Sequence, residues 1–335
     1  MENLVNSSPL ILVLVFLVIG FVFLMKGADF FVEGSSSIAK RLKVPPIIIG
    51  LTIVAMGTSL PETAVSVTAS LVNNNELAVS NVVGSNIFNL MVVVGVCSIL
   101  TPILVQKETI KRDIPFSMIC AFLLLGLGIL AVGDKSGMTL GHLDGMILLG
   151  FFAGYIVVMI QSAMKARAAG KNVEIEGIEE LEEEIGILSW PKSILFIVGG
   201  ALAIAFGGDL TVDAASRIAI DLGMSQTLVG LTIVSIGTSL PELVTSVVAA
   251  RKNEVDMAVG NAVGSNIFNI LMVLGIASAI NPVALIRENI IDIVILIVFS
   301  LIVWIYAATK RKISRKEGIS MVCLYLIYAG YIIWR

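Results

Sequence analysis

Gly57-Thr58-Ser59-Leu60-Pro61-Glu62 recurs 180 residues later as Gly237-Thr238-Ser239-Leu240-Pro241-Glu242, each copy inside a long apolar stretch. A carboxylate in the middle of a membrane span costs about 3 kcal/mol to insert, so its default reading is a functional site. The proline beside it lacks a backbone donor, which breaks the helix at that point. Outward from the hexapeptides, the offset of 180 holds without a gap from Gly27/Gly207 and Asp29/Asp209 to Pro102/Pro282. Between 57 and 95, 22 of 39 positions match their partners, including Asn73/Asn253, Asn81/Asn261 and Gly84-Ser85-Asn86-Ile87-Phe88-Asn89 against Gly264-Ser265-Asn266-Ile267-Phe268-Asn269. Shared apolar composition would scatter leucines and valines, not asparagines, so the chain is a duplicated half.

The rest of the composition sets the medium. With 57% hydrophobic and 14% charged residues and a mean hydropathy of +0.99, the chain is an integral membrane protein, far from soluble averages. Apolar runs long enough to cross a bilayer fall at 9–31, 44–72, 76–101, 113–132, 142–164, 190–212, 224–250, 256–281, 288–309 and 318–334, ten spans in all. The first run lacks the basic flank and cleavage site of a signal peptide, so it is expected to stay as the first helix. The expected fold is all-α: ten transmembrane helices as two inverted five-helix repeats, with helices 2 and 7 broken. The first repeat covers 1–164 with its motif region at 57–89, an acidic linker covers 165–189, and the second repeat covers 190–335 with its motif region at 237–269.

Five spans per half put the second copy into the membrane from the opposite side. Cytoplasmic ends collect Lys and Arg. With the amino terminus outside, 18 of the 22 fall inside, leaving Lys135, Arg217, Arg287 and Arg335 outside, so a multi-pass protein of the cell membrane with a cytoplasmic linker is expected. Inverted repeats with Gly/Pro-interrupted helices at matching positions point to a secondary transporter whose site lies at the midplane.

Of the 25 Asp and Glu, Glu62 and Glu242 are the ones read near mid-membrane. Thr58, Glu62 and Ser66 are spaced to share one helix face, as are Thr238, Glu242 and Ser246. Ser85 and Asn89, with Ser265 and Asn269, repeat the pattern on the next helix. The prolines free carbonyls near Gly57-Thr58 and Gly237-Thr238, and unwound backbone at that depth is tolerated where it lines a cavity. The donors are all oxygens, which suits hard cations: Ca²⁺ takes six to eight oxygens, whereas Mg²⁺ keeps its waters. Two glutamates give a charge of −2, matching one Ca²⁺ or several Na⁺ over adjoining subsites. Competition for one pair of carboxylates is a physical basis for exchange.

Plainer readings stand beside these. Glu62 and Glu242 could be neutral acids bonded between helices, but packing explains neither the repeated hydroxyl stripe nor the proline break. Gly84 and Gly264 read as packing residues, and Asn86 and Asn266 as packing or capping. Asp29, Glu33, Asp209 and Asp213 read as solvated charges at helix ends, with gating or ion entry as the alternative. The linker with Glu174, Glu176, Glu179, Glu180, Glu182, Glu183 and Glu184 reads as a solvated connection without a calcium-loop pattern. Cys97, Cys120 and Cys323 read as small buried side chains, and His142 as a satisfied interfacial histidine beside Asp144.

The two motifs, paired in both halves, resemble those of the sodium/calcium exchanger family within the cation/calcium antiporter superfamily, in the manner of its small prokaryotic-type members. The resemblance covers most of the chain outside 165–190. It implies that helices 2, 3, 7 and 8 form the ion site and that helices 1 and 6 slide as a gating pair. It implies that Glu62 and Glu242 coordinate Ca²⁺ with the backbone carbonyls of Thr58 and Thr238. Na⁺ would be held by Ser59, Ser239, Ser85, Ser265 and the glutamates, with the backbone near Ala55 and Ser235, and Asn89 and Asn269 would complete the centre. Some archaeal members and the potassium-dependent branch carry Asp where this chain has Asn269, which implies a centre of charge −2 and K⁺ independence.

The resulting expectation is a secondary antiporter exchanging Na⁺ for Ca²⁺ by alternating access. The alternatives are an H⁺/Ca²⁺ antiporter, a K⁺-dependent Na⁺/Ca²⁺ exchanger and, more remotely, a passive cation channel. No nucleotide loop or nucleophile-base pair suggests an enzyme, and no cofactor, nucleic acid or obligatory protein partner is expected. Ca²⁺ and Na⁺ are the substrates and the lipid bilayer is the surrounding partner.

Overall fold

The computed structural model describes residues 2–71, 75–130, 138–168, 187–224 and 235–334. Asn73, Lys135, the linker glutamates, the first half of the seventh span and Arg335 lie outside the described residues. The described residues form helices joined by short turns and loops, with two short strand pairs.

A short α1 (Glu2–Ser7), unmarked by any sequence signal we used, precedes α2 (Leu10–Leu42). Pro9 opens α2, and Lys43, in the left-handed region at φ 55°, closes it before Pro45 and Pro46. At 1.5 Å per residue its 33 residues span about 50 Å, well beyond a hydrocarbon core of about 30 Å. This corrects the placement of Asp29 and Glu33 at a helix end. The apolar run stops at 31 but nothing breaks the helix before 43, so both acids lie within α2. Asp209 and Asp213 likewise lie within α8 (Trp190–Asp221). Asp29 is met by Lys252 Nζ at 3.5 Å, and Ser36 donates to Glu254 at 2.5 Å.

The second span comes as two pieces, Pro46–Thr58 (α3) and Leu60–Leu71 (α4), which meet at 49°. The bend divides the stripe expected to run straight through Thr58, Glu62 and Ser66: Thr58 ends α3, while Glu62 and Ser66 lie on α4. The third span, α5, starts at Asn75–Phe88, passes through a π turn at Asn89–Val93 and ends as Val94–Leu100. Then follow α6 (Thr109–Leu130), α7 (His142–Ala168) and α8.

In the second half, α9 (Ser235–Gly237) leads through a turn into α10 (Leu240–Arg251). The next helix, α11, is Val255–Phe268, a π turn at Asn269–Val273, and Leu274–Ile280. It is followed by α12 (Arg287–Lys310) and α13 (Arg315–Trp334). Among the described residues, eight helices are long and apolar enough to cross a membrane, nine with the bent pair counted as one span. His142 opens α7, its Nδ1 3.0 Å from Ala279 O.

Packing runs between the halves. Strand β1 (Ile103–Leu104) pairs antiparallel with β4 (Lys312–Ile313), and β2 (Thr139–Leu140) with β3 (Val283–Ala284), each pair joining one half to the other. Helices α2 and α8 lie antiparallel in backbone contact, because small residues at heptad spacing let them approach. A Cβ at Gly27 would stand 2.9 Å from Ile204 N and 3.0 Å from Gly200 O. The ring pairs Phe23–Phe206 and Phe30–Phe196 flank this seam at 5.1 and 4.9 Å. The central helices α5 and α11 carry the core, while the outer helices keep apolar side chains on their outer faces. Cys97 and Cys120 are buried but Cys323 is exposed, a correction. It sits on α13, one of the outer helices, where an apolar face needs no cover in lipid.

Candidate functional site

The π turns of α5 and α11 begin at Asn89 and Asn269, equivalent positions of the duplication. Such bulges loosen the backbone ladder and recur at functional sites. Three residues before each, Asn86 and Asn266 bind one another reciprocally. Asn86 Nδ2 donates to Asn266 O at 3.1 Å, and Asn266 Nδ2 to Asn86 O at 3.1 Å. Their side-chain oxygens then accept from Asn269 Nδ2 at 3.1 Å and Asn89 Nδ2 at 3.3 Å. These four amides, in pairs 180 residues apart in sequence, tie α5 directly to α11. Asn86 and Asn266, expected to serve packing or capping, bond across the contact between the two helices.

The glutamates are fully buried and cross-braced. Ser59 Oγ donates to Glu242 Oε1 at 2.9 Å, and Ser239 Oγ to Glu62 Oε1 at 3.2 Å, so each half's serine holds the other half's acid. Ser265 Oγ donates to the same Glu242 oxygen at 3.3 Å, whereas the hydroxyl of Ser85, its equivalent, is buried without a hydrogen-bond partner. One oxygen of each carboxylate is thereby fixed. The other is left bare, and so are the side-chain oxygens of Asn89 and Asn269, whose amide hydrogens are already committed.

Four buried oxygens in symmetric pairs without a protein partner are a heavy burden if they serve only structure, since each costs about 1–3 kcal/mol. Two are carboxylate oxygens and two amide oxygens, all able only to accept. Among the described residues, no group of three His, Cys, Asp or Glu competes for a soft metal.

Of the other residues singled out from the sequence, Thr58, Ser59, Ser85, Ser239 and Ser265 are buried here, and Thr238 is half-buried. The Ala55 carbonyl, also buried, accepts Ser59 N at 3.0 Å and Thr58 Oγ1 at 3.4 Å. Ser235 opens α9, just ahead of the second motif. A Cβ at Gly264 would stand 2.8 Å from Ala55 Cβ, in keeping with a packing role.

Sequence reasoning noticed Asn81 and Asn261 as a matched pair but gave them no role. Asn261 takes the hydroxyl of Thr58 at 3.0 Å and Asn81 that of Thr238 at 3.2 Å. The signal was available: Asn81, Ser85 and Asn89 are spaced i, i+4, i+8, one face of one helix.

Fold and geometry together define an all-helical, multi-pass membrane protein that buries two glutamates beside a set of unpartnered oxygens. The family model for sodium/calcium exchanger proteins matches residues 12–161 and 192–334. The chain belongs to that family and is a cation/calcium antiporter, a transporter and not an enzyme. It is 33% identical to the sodium/calcium exchanger MaX1 of Methanosarcina acetivorans over 93% of this chain and 96% of that one. It is 32% identical to the inner membrane protein YrbG of Escherichia coli over 95% and 94%. A solved structure of the sodium-calcium exchanger NCX_Mj, soaked with Na⁺ and Sr²⁺, superposes with a TM-score of 0.80 at 30% identity, covering 96% of this chain and 99% of that one.

Proposed function

We propose that the protein exchanges Na⁺ for Ca²⁺ by alternating access, without K⁺. The observation that carries this reading is the cross-braced pair Glu62 and Glu242, each with one fixed and one bare oxygen, beside the bare amide oxygens of Asn89 and Asn269. Oxygen-only donors with a charge of −2 suit one Ca²⁺, or Na⁺ ions on overlapping subsites. The proposed ion ligands are Glu62, Glu242, Ser59, Ser239, Ser85, Ser265, Asn89 and Asn269, with backbone oxygens at Ala55, Thr58, Ser235 and Thr238.

The architecture that serves this function is ten spans in two inverted repeats, 1–164 and 190–335, joined by the linker 165–189. Helices α3 and α4 form one broken span, and α9 with α10 end its counterpart. Inversion gives the mechanism: two halves of one sequence can exchange conformations at similar energy and turn the site from one side to the other. The Lys and Arg distribution supports an amino terminus outside and a cytoplasmic linker.

Coupling is tested in proteoliposomes. Sodium loaded inside should drive radiolabelled Ca²⁺ inward, whereas a pH gradient alone should not; uptake driven by the pH gradient and indifferent to Na⁺ contradicts the reading. Replacing K⁺ with choline should leave the initial rate unchanged within about twofold, because Asn269 adds no third acid to the centre. Strong stimulation by K⁺ would refute that role for Asn269.

A further inference from the structure

Asn81 and Asn261 occupy equivalent places and do the same two things. Each is fastened to its own half by its amide nitrogen: Asn81 Nδ2 donates to Ser66 Oγ at 3.0 Å, and Asn261 Nδ2 to Ser246 Oγ at 2.9 Å. The same nitrogens lean on the carbonyls of Glu62 and Glu242 at 3.5 and 3.4 Å. Each then offers its side-chain oxygen to the other half, Asn81 to Thr238 and Asn261 to Thr58. A carboxylate could not both give and take in this way, but an amide can.

The cross-half bond is built to open. When Thr58 leaves Asn261, its hydroxyl already has another acceptor, Val54 O at 3.2 Å on its own helix. Breaking the contact therefore strands no donor on that side. With the halves inverted as proposed, the two contacts also lie on opposite sides of the Asn86–Asn266 pair. Asn81 is five residues before Asn86, about 7.5 Å along its helix, and Asn261 is five before Asn266 on the partner helix. Asn261 and Thr58 are almost completely buried, while Asn81 is 8% exposed and Thr238 only half-buried, so the two sides are unequally closed.

We propose that Asn81 and Asn261 are positioning residues, each closing one side of the ion site by holding the opposite half's threonine: Asn81 with Thr238 on the outer side, Asn261 with Thr58 on the inner. The proposal rests on the ion-site and orientation readings above. Loss of the inner bond favours the state open to the inside; loss of the outer bond does the reverse. The apparent affinity at each face follows the fraction of carriers open to it.

The experiment measures the KM for Ca²⁺ at each face, in vesicles of determined orientation, for Asn81→Ala, Asn261→Ala and Thr58→Val. Calcium/calcium self-exchange is the readout, so the result does not depend on which ion is the coupling partner. Asn261→Ala should raise the outside-to-inside KM ratio about threefold to tenfold, the worth of one buried hydrogen bond, and Asn81→Ala should lower it by as much. Thr58→Val should shift the ratio as Asn261→Ala does, and the two combined should add nothing.

Shifts of the two asparagine variants in the same direction, or no shift in protein that elutes as folded, would overturn the proposal. So would additive effects of Thr58→Val and Asn261→Ala. Opposite shifts with both signs reversed would overturn the inner and outer assignments. Failure of Na⁺ to drive uptake in the unsubstituted protein would instead remove the exchange reading and leave this ratio measurable.

Discussion

Glu62→Gln is expected to reduce Na⁺-driven Ca²⁺ uptake by about 100-fold or more, and Glu242→Gln to do the same. Glutamine keeps the volume and an oxygen that can accept from Ser239 or Ser59, so the cross-half brace survives. On the proposed reading, what goes is one of the two charges that would face a divalent cation in a buried site. Removing a buried partner of a charged pair costs about 2–5 kcal/mol, and about 2.7 kcal/mol is already 100-fold. A normal size-exclusion profile beside absent transport would locate the loss in the site. Retained Ca²⁺ exchange in either variant would contradict the assignment of the ion site.

Gly260→Val is expected to produce the largest structural defect. A Cβ at Gly260 would lie 2.7 Å from Ile47 O, 3.0 Å from Leu51 N and 3.1 Å from Gly50 Cα, all backbone atoms that cannot swing aside. Across the same crossing, a Cβ at Gly50 would lie 2.6 Å from Met257 O. Overpacking of this kind costs about 1–3 kcal/mol, sometimes more. It also pushes α3 from α11, and with it Thr58 from Asn261, so transport should fall along with the thermal midpoint in detergent. Gly150→Val is the control, because nothing stands within 4 Å of a Cβ there. Equal midpoints for the two variants would contradict the close crossing.

Glu62 and Glu242 were legible because an acid in an apolar span has no ordinary reason to be there, and its exact repetition with Pro61 and Pro241 removed coincidence. The serines and asparagines one or two turns away followed from helical periodicity. The bonds made by Asn86 and Asn266 did not, because periodicity assigns faces within one helix and says nothing of which helix packs against the opposite face. Their role depends on each other, not on their neighbours in sequence.

The extent of α2 was hidden for a different reason. Hydropathy marks where the apolar run ends, near 31, whereas helix termination is decided by Lys43 and the prolines after it. Asp29 and Glu33 therefore sit within a helix that outruns the apolar core. The π turns at Asn89 and Asn269 leave no mark in residue spacing, since the shift of one hydrogen-bond register is set by tertiary contacts.

The central claim is that one buried pair of carboxylates serves Na⁺ and Ca²⁺ in turn. The direct measurement is radiolabelled Ca²⁺ uptake into proteoliposomes loaded with Na⁺ and diluted into Na⁺-free medium, with the membrane voltage clamped and no pH gradient. The account predicts uptake above the equilibrium level that collapses when Na⁺ is equal on both sides. Uptake unaffected by that equalisation would contradict it.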